Sequence, residues 1–307
     1  MTAKPLLAVD APSLYFRAFH GIPEKAAQTP AGEPVNAIRG FMDMLAQLIR
    51  TRHPDRVVCA LDNSWRPAWL VALVPSYKKH RVAHGDVEEV PAALRKQIPV
   101  LLEVLEAVGI PAFGVDDYEA DDVLGTLATT QDAPVEVVSG DRDLFQLVDD
   151  ERQTRLLYVG RGVAKLEDAD NALVEAKYGV PARWYADFAA MRGDASDGLP
   201  GVPGVGEKTA ARLITRYGGV EQILAALDDK DAGFAPGVRL KLDAARDYLA
   251  KALPVCLVAR DVKLPGFDPQ LPGAPRDADA LLALAERWNL AGSARRLVDA
   301  MSQSSSS

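Results

Sequence analysis

Cysteine and histidine are scarce in this chain, and their scarcity argues against several kinds of site. The 307 residues include two cysteines and four histidines. Cys59 and Cys256 lie far apart, and Cys59 falls in a predicted strand, so we expect buried, reduced thiols and no disulfide. No histidine pair forms an HExxH motif, and GxSxG elbows and Walker-type phosphate loops are absent. HExxH-type zinc binding, acyl transfer and ATP hydrolysis are therefore disfavoured.

Long apolar runs are missing as well. No run reaches the length that spans a membrane, and the N-terminus lacks a charged-then-apolar signal, because residues 5–9 have the pattern of a buried strand. We therefore expect a cytoplasmic protein that has no membrane partner and acts as a monomer. The length suits one large domain or two moderate ones.

Acidic residues are the main surplus. The formal net charge of −8 argues against a nonspecific nucleic-acid binder. If bound cations offset the acids that cluster at predicted element ends, however, the rest of the chain is close to neutral. Net charge therefore does not decide the question. The clustered acids are Asp10, Asp62, Glu119, Asp121, Asp122, Asp141, Asp143, Asp194 and Asp197.

Each of these acids, taken alone, is most often a turn residue or a helix cap. Glu119, Asp121 and Asp122 open a predicted helix, where acids suit the positive end of the helix dipole. Spacing favours a shared site instead. Asp141 and Asp143 would project to one side if their strand continued, and acids three residues apart share a helix face. Nine converging carboxylates would repel one another severely without cations.

The predicted site suits a hard cation. Open α/β sheets bind ligands outside the carboxyl ends of their strands, where Asp10, Asp62 and the pair at 141–143 are predicted to lie. Asp194 and Asp197 would share one face if their segment were helical. Oxygen ligands without matching His or Cys select Mg²⁺ or Mn²⁺. Two such ions about 4 Å apart can activate water and stabilise the leaving oxygen in phosphodiester cleavage.

The order of predicted elements indicates an α/β fold followed by a helical region. We expect a three-layer, mostly parallel sheet domain at 1–169, a helical domain at 170–301 and a disordered tail at 302–307. The strand patterns lie at 5–10, 56–62 and 135–140, and the helix patterns at 36–52, 91–108, 207–217, 220–226, 237–250, 277–288 and 293–301.

Two further segments have patterns found in nucleic-acid contacts. Basic and aromatic residues interleave at 65–81, as in grips on single strands, although a solvated basic loop is the commoner reading of such a stretch alone. The glycine run at 201–206, followed by Lys208 and a helix start, can aim backbone amides at a phosphate. An ordinary Gly/Pro loop is the alternative for that run.

Together these motifs resemble the structure-specific 5′-nuclease family, which includes flap endonucleases and the 5′-nuclease domain of bacterial DNA polymerase I. They occur in family order from the N-terminus to about residue 250, and no polymerase region follows, so we expect a free-standing enzyme. The matching pieces are Val9-Asp10, Phe16-Arg17-Ala-Phe19, Gly32-Glu-Pro34, Leu61-Asp62, Tyr77-Lys78 with Arg81, Tyr118-Glu-Ala-Asp-Asp122, Gly140-Asp-Arg-Asp-Leu144, Gly193-Asp-Ala-Ser-Asp197, Leu199-Pro-Gly and Gly204-Val-Gly-Glu-Lys-Thr-Ala210.

The resemblance implies a PIN/Rossmann-like nuclease domain with a helical arch near 66–95. It also implies a helix–three-turn–helix near 201–217 that grips duplex DNA and holds a K⁺ ion. The nine acids are implied to bind two or more Mg²⁺ or Mn²⁺ ions. The implied catalytic cations are Lys78, Arg81 and Arg17, and the implied DNA contacts are Tyr77, Gly204, Gly206, Lys208 and Thr209.

The implied activity is 5′→3′ exonuclease and flap endonuclease cleavage of branched or 5′-ended DNA in replication and repair. A non-catalytic DNA-structure-binding protein is the rival, disfavoured because a binder has no need of so many converging acids. A metal-dependent phosphatase is less favoured because the glycine loop suits a polymer backbone. The chain has Ala11 where the family has Gly and Gly198 where it has Asn, and neither change removes a ligand.

Overall fold

A six-stranded sheet forms the centre of the computed structural model, which describes residues 4–85, 87–229 and 233–305. The strand order is β5-β2-β1-β6-β7-β8, with every pair parallel except β7 and β8, and β3 and β4 form a separate antiparallel hairpin. The mostly parallel sheet expected from the sequence is confirmed. The strands are β1 (Leu6–Asp10), β2 (Arg56–Ala60), β3 (Val82–His84), β4 (Val87–Glu88), β5 (Ala112–Phe113), β6 (Val135–Ser139), β7 (Thr154–Tyr158) and β8 (Glu167–Ala169).

Helices cover both faces of the sheet because alternate strand residues point to opposite sides. In β1, Leu7 and Val9 face the core shared with α2 and α4, whereas Leu6 and Ala8 face the core shared with α5. The helices are α1 (Ala11–Gly21), α2 (Asn36–Arg52), α3 (Ala68–Leu73), α4 (Ala92–Val108), α5 (Ala120–Thr130), α6 (Asn171–Tyr178), α7 (Tyr185–Arg192), α8 (Glu207–Tyr217), α9 (Val220–Asp228), α10 (Pro236–Ala244), α11 (Arg246–Cys256), α12 (Ala278–Arg287) and α13 (Ala291–Ser305).

The chain order places a ligand site beside β1. The chain runs from β1 outward to β2 and β5 on one side, then returns to β6 next to β1 on the other side. A reversal of this kind opens a crevice at the carboxyl ends of the strands, between the two directions of winding. Asp10, the last residue of β1, therefore lies at this crevice, as the sequence predicted.

The C-terminus corrects one prediction. Residues 302–305 belong to α13 and are not a disordered tail, while 306 and 307 lie outside the described residues. The Ser304 hydroxyl is buried and donates to the Pro54 carbonyl at 2.6 Å, which ties the helix end to the sheet domain. Serine composition alone suggested disorder, but the apolar face of α13 packs on α2 and orders this segment.

Other boundaries also differ from the sequence prediction. The single helix expected at 237–250 is two helices, α10 and α11, that meet at Ala245. In the segment 66–95, expected to form a helical arch, the described residues form the six-residue α3, a 3₁₀ turn at Lys79–Arg81, the β3–β4 hairpin and the start of α4.

The sequence predicts neither a disulfide nor a membrane-spanning helix. Cys59 and Cys256 are buried free thiols, as predicted. Among the described residues, no helix combines the length and apolar character that a membrane span requires.

Candidate active site

An open cavity lies at the carboxyl ends of β1, β2 and β6, and carboxylates from separate elements line it. Asp10 is the last residue of β1, Asp62 follows β2, Asp141 follows β6, and Asp121 lies in the first turn of α5. The parallel sheet brings these four acids together although they span more than a hundred residues of sequence. The remaining lining residues are Pro12, Ser13, Phe16, Lys78, His80, Arg81, Glu88, Glu89, Ala120 and Gly140.

Asp10 is held rigidly at the floor of this cavity. Its carboxylate caps α1 by accepting from the Ser13 amide at 2.9 Å, and it also accepts from the Ser139 hydroxyl. Burial raises the pKa of Asp10 to about 7. The two hydrogen bonds oppose that rise, and the Asp62 and Asp141 carboxylates add to it. Among the described residues, the charges that act most strongly on Asp10 are the negative ones of Asp62 and Asp141, which favours binding of a metal ion.

Two neighbouring acids, Asp121 and Asp62, are also held in place at this edge of the sheet. Burial, followed by repulsion from Asp141 and Asp10, raises the pKa of Asp121 well above its usual value. Asp62 accepts from the Ala120 amide at 2.7 Å, which fixes the start of α5 against the end of β2. Backbone contacts thus hold Asp10 and Asp62 in position, so these carboxylates cannot move apart to reduce their mutual repulsion.

Lys78, Tyr77 and Glu119 form a buried group beside the cavity. The Lys78 ammonium and the Tyr77 hydroxyl donate to opposite oxygens of Glu119, at 2.8 and 2.7 Å. Burial lowers the pKa of Lys78, but Glu119, Tyr77, Asp197 and Asp121 together outweigh it and hold that pKa well above the usual range. Burial raises the pKa of Glu119 to about 7, against the opposing effect of Lys78.

The structure changes the role expected for Tyr77. Its side chain is 2% exposed and its hydroxyl is used by Glu119, so it orients that carboxylate and does not present a ring to DNA. Lys78 has a positive φ of 46°, an uncommon conformation for a non-glycine residue. Its amide donates to the Asp197 carbonyl at 3.0 Å, which anchors the turn to the next group of acids.

Asp141 and Asp143 would project to one side only if their strand continued, and it does not. β6 ends at Ser139, and Asp143 begins a 3₁₀ turn. Asp141 accepts from the Asp143 amide at 2.9 Å, so the pair occupies a tight turn. Burial, then Asp141, Asp197 and Asp194, raises the pKa of Asp143, and its Oδ1 is buried without a hydrogen-bond partner.

Asp194 and Asp197 lie in a turn closed by a bridge between Asp194 and Leu199, not on a helix as the spacing had suggested. Burial alone would raise the pKa of Asp194, but Ser196 and the Arg192 and Arg142 guanidinium groups lower it. Asp194 is thus already neutralised by cations. Asp197 accepts from Arg81 at 3.2 Å, yet burial keeps its pKa raised.

Several predicted site residues lie outside the cavity lining, namely Glu119, Asp122, Asp143, Asp194, Asp197, Arg17 and Tyr77. Both oxygens of Asp122 are taken by backbone amides, those of Ala259 at 2.7 Å and Glu119 at 3.0 Å, in a capping box at the start of α5. Arg17 donates to the Gly160 carbonyl at 3.1 Å, and its buried Nε has no hydrogen-bond partner. In this arrangement Asp122 supports the site, and Arg17 links α1 to the loop after β7.

The type and charge of these acids suit divalent cations, although their side chains are not arranged as a complete set of metal ligands. In the ranges the structure describes, no three His, Cys, Asp or Glu side chains stand in an arrangement that could hold a metal ion. Nevertheless, Asp10 is buried, Asp121 and Asp143 are half-buried, and all three carboxylates have raised pKa values, while one buried oxygen of Asp143 has no donor. Oxygen-only, anionic sites of this kind match Mg²⁺ or Mn²⁺, with water completing the coordination.

The glycine loop lies in the helical domain, outside the acidic cavity. Gly204 has a φ of +72°, which favours glycine, and its carbonyl accepts from the Lys241 ammonium at 3.2 Å. Gly206 caps α8 without a side chain, and Thr209 donates its amide back to the Gly206 carbonyl at 3.0 Å. Gly206 and Lys208 are exposed, so the start of α8 faces solvent.

The loop is joined to the acidic cavity through the turn at 193–199. Gly198 has a φ of +73°, and a Cβ there would collide with the Ser76 carbonyl. A side chain at position 198 would therefore require the Ser76 carbonyl to move. Residue 76 directly precedes the buried Tyr77 and Lys78, so the turn of Asp194 and Asp197 braces the segment that carries Lys78.

Sequence reasoning missed several supporting residues. Ser139 holds Asp10, Arg192 holds Asp194, and Glu88 and Glu89 of the β3–β4 hairpin line the cavity. A polar residue that ends an apolar strand next to Gly140 was a usable signal for Ser139. The acidic character of 86–91 was visible, but nothing in the local pattern indicated that this hairpin lies beside the strand ends.

Comparison with known proteins agrees with this geometry. Residues 5–179 match the model of the 5′-3′ exonuclease N-terminal resolvase-like domain, and residues 180–277 match the C-terminal SAM fold of the same family. A 5′-3′ exonuclease of Streptomyces coelicolor is 50% identical over 95% of this chain and 98% of its own length. A 5′-3′ exonuclease of Mycobacterium tuberculosis is 47% identical, covering 97% and 98%.

Among solved structures, the chain has the fold of the bacteriophage T5 flap endonuclease in a pseudo-enzyme-product complex with DNA and metal ions. That match has a TM-score of 0.63 at 17% identity and covers 99% of this chain and 100% of the other. At this identity the likeness concerns the fold alone, whereas the two family models together span most of the chain. The chain therefore belongs to the 5′-3′ exonuclease family and is a nuclease with that family's resolvase-like and SAM-fold domains in order.

Proposed function

We propose that this nuclease is a divalent-metal-dependent 5′→3′ exonuclease and flap endonuclease that hydrolyses phosphodiester bonds in 5′-flap, nicked or gapped DNA during replication and repair. The observation that carries the proposal is the convergence of Asp10, Asp62, Asp121 and Asp141 in one open cavity beside Lys78 and Arg81. The names of the relatives support the 5′→3′ polarity. A non-catalytic DNA binder would gain nothing from buried carboxylates that repel phosphate.

Asp122 is held by two backbone amides, and the other eight acids divide into two groups by what they contact. Asp10, Asp62, Asp121, Asp141 and Asp143 have the fewest cationic partners, so we propose them as the main ligands of two or more Mg²⁺ or Mn²⁺ ions. Glu119, Asp194 and Asp197 are already paired with cations. They would bind a metal ion only by giving up those partners, or would hold neighbouring ligands in place. When bound, the metal ions would activate water and stabilise the leaving oxygen.

The cations of the chain itself would act on the phosphate. Lys78 and Arg81 flank the cavity and are held by Glu119 and Asp197, carboxylates beside the proposed metal ligands. Cations that flank a cleavage site favour the charge that develops on the phosphate as the bond breaks. The proposal assigns Lys78 and Arg81 this role, with Tyr77 as the residue that orients Glu119.

The glycine loop would hold the duplex at a distance from the cut. Its exposed glycines allow a phosphate to approach the amides at the start of α8, and Lys208 adds a positive charge. We also propose that 1–169 is the catalytic unit and 170–301 the duplex-binding unit, with α12 and α13 packing back on α4 and α2. A K⁺ ion at the loop fits less well, because Lys241 already holds the Gly204 carbonyl.

The position of the label on a substrate tests the polarity and the site of cleavage. With a 5′-flap duplex in Mg²⁺, we expect cleavage near the base of the flap and release of short 5′ fragments. The same duplex with a 3′ flap should stay intact. Equal degradation from 3′ ends would contradict the proposed polarity while leaving the nuclease class in place.

Substitution of Gly206 by valine separates duplex binding from chemistry. The backbone of Gly206 is extended, with φ −91° and ψ −178°, and a Cβ there meets no atom within 4 Å, so the variant should fold normally. The new side chain would keep a phosphate away from the loop amides. Affinity for flap and nicked duplexes should fall, and the dependence of binding on salt should flatten as a phosphate contact is lost.

Gly266 offers a matched control, because a Cβ at Gly266 also meets nothing within 4 Å. Gly266→Val should leave duplex affinity unchanged. Cleavage of a short single strand, which does not need the loop, should change little in Gly206→Val. An equal loss on single-stranded and duplex substrates would refute the division of labour between loop and cavity.

A further inference from the structure

The β3–β4 hairpin brings an additional pair of carboxylates to the acidic cavity. Glu88 and Glu89 line the same cavity as Asp10 and Asp62, yet they come from an element outside the main sheet. A single phosphate in this cavity would face these two charges as well as those of the proposed metal ligands. The hairpin acids therefore need a role of their own.

The hairpin is tied directly to one of the cations. Glu88 pairs with Val82 across the hairpin, and the Glu89 amide donates to the Arg81 carbonyl at 2.8 Å. Arg81 in turn donates to Asp197. Glu88 is thus fixed relative to Arg81, so its charge has a fixed position at the cavity wall.

Glu88 sits among charges of both signs. It is partly buried, and burial followed by the Asp62 carboxylate raises its pKa, while Arg81 and Lys78 oppose that rise. Neither cation is available to neutralise it fully, because Lys78 is bonded to Glu119 and Arg81 to Asp197. Without metal ions, the cavity therefore presents net negative charge to an incoming phosphate.

From this placement we propose that Glu88 is a specificity-determining residue whose carboxylate, next to Asp62, repels a DNA phosphate from the cavity until divalent cations are bound. The inference rests on the proposed nuclease function, since it concerns the same cavity. Glu88 makes entry of the 5′ end conditional on metal, which prevents the enzyme from holding DNA in a state that cannot react. Like charges in a partly desolvated site repel strongly enough for one carboxylate to matter.

The test is binding without metal. A short 5′-phosphorylated single strand, which does not need the glycine loop, is titrated in EDTA against the wild-type protein and Glu88→Gln. We expect Kd to fall by about five- to tenfold in Glu88→Gln, and further in Glu88→Lys, as expected for a graded change of one local charge. Glu103→Gln removes an exposed acid from α4 outside the cavity lining and should leave Kd unchanged.

A second readout distinguishes this role from metal binding. The Mg²⁺ concentration that gives half-maximal cleavage should not rise in Glu88→Gln. An unchanged Kd in EDTA for both Glu88 variants would overturn the inference, and so would a several-fold higher Mg²⁺ requirement, because that result would make Glu88 a ligand. Absence of cleavage by the wild-type protein in Mg²⁺ would instead reject the proposed function. The EDTA titration measures binding alone, so its result would still stand.

Discussion

Replacement of Asp143 by alanine should abolish cleavage while leaving affinity for duplex DNA within a few-fold of wild type. Asp143 is a half-buried carboxylate whose buried Oδ1 has no hydrogen-bond partner among the described residues, so this oxygen is free to bind a metal ion. Loss of one ligand disrupts the geometry of a two-metal centre, and we expect a fall in the single-turnover rate of at least ~10³-fold, more than the loss of one stabilising donor.

The same substitution should not destabilise the metal-free protein. Asp141, Asp197 and Asp194 repel the Asp143 carboxylate, and its removal relieves that repulsion. The thermal unfolding midpoint of Asp143→Ala in EDTA should therefore equal or exceed that of wild type. Asp132→Ala, at an exposed acid after α5, is the matched control and should keep full activity. Near-normal turnover of Asp143→Ala at saturating Mn²⁺ would rule out the ligand assignment.

The second large effect is expected at Lys78. Lys78→Ala removes a cation beside the cavity, and a donor of that kind contributes on the order of 10²–10³ in rate. The single-turnover rate should fall by about that factor, while affinity for a flap substrate should fall much less. A loss of rate and affinity by the same factor would make Lys78 a docking contact only.

Stability has to be measured alongside the Lys78 rate. The substitution leaves the Glu119 carboxylate buried without its cation, and breaking a buried ion pair costs about 3–5 kcal/mol. Arg81→Ala provides the comparison, because the Arg81 side chain is 36% exposed and its loss should leave the fold intact. Arg81→Ala should slow the single-turnover rate without lowering the unfolding midpoint appreciably.

Much of this site was readable from the sequence because strand ends are strong signals. A buried apolar run that ends in Asp, as at Val9-Asp10 and Leu61-Asp62, predicts an acid at the carboxyl edge of a parallel sheet, and the structure places both in the cavity. The helix at Asn36–Arg52 and that at Glu207–Tyr217 were predicted with their observed bounds, since both have clear apolar faces.

Side-chain roles were harder to predict, because they depend on partners distant in sequence. Glu119 and Asp122 have helix-face spacing, yet Glu119 is paired with Lys78 and Asp122 with the Ala259 amide more than a hundred residues away. Tyr77 has the sequence context of an exposed contact but is buried by tertiary packing. Periodicity reports which face a residue lies on and carries no information about the element that covers that face.

The account predicts that catalysis by this chain depends wholly on divalent cations bound by the acidic cavity. The most direct measurement is cleavage of a labelled 5′-flap duplex by the full chain with Mg²⁺, with Mn²⁺ and with EDTA. Cleavage should occur with either metal, stop completely in EDTA, and return when Mg²⁺ is restored in excess. Cleavage in EDTA at the rate seen with Mg²⁺ would contradict the account, because the carboxylates would then have no cation to hold.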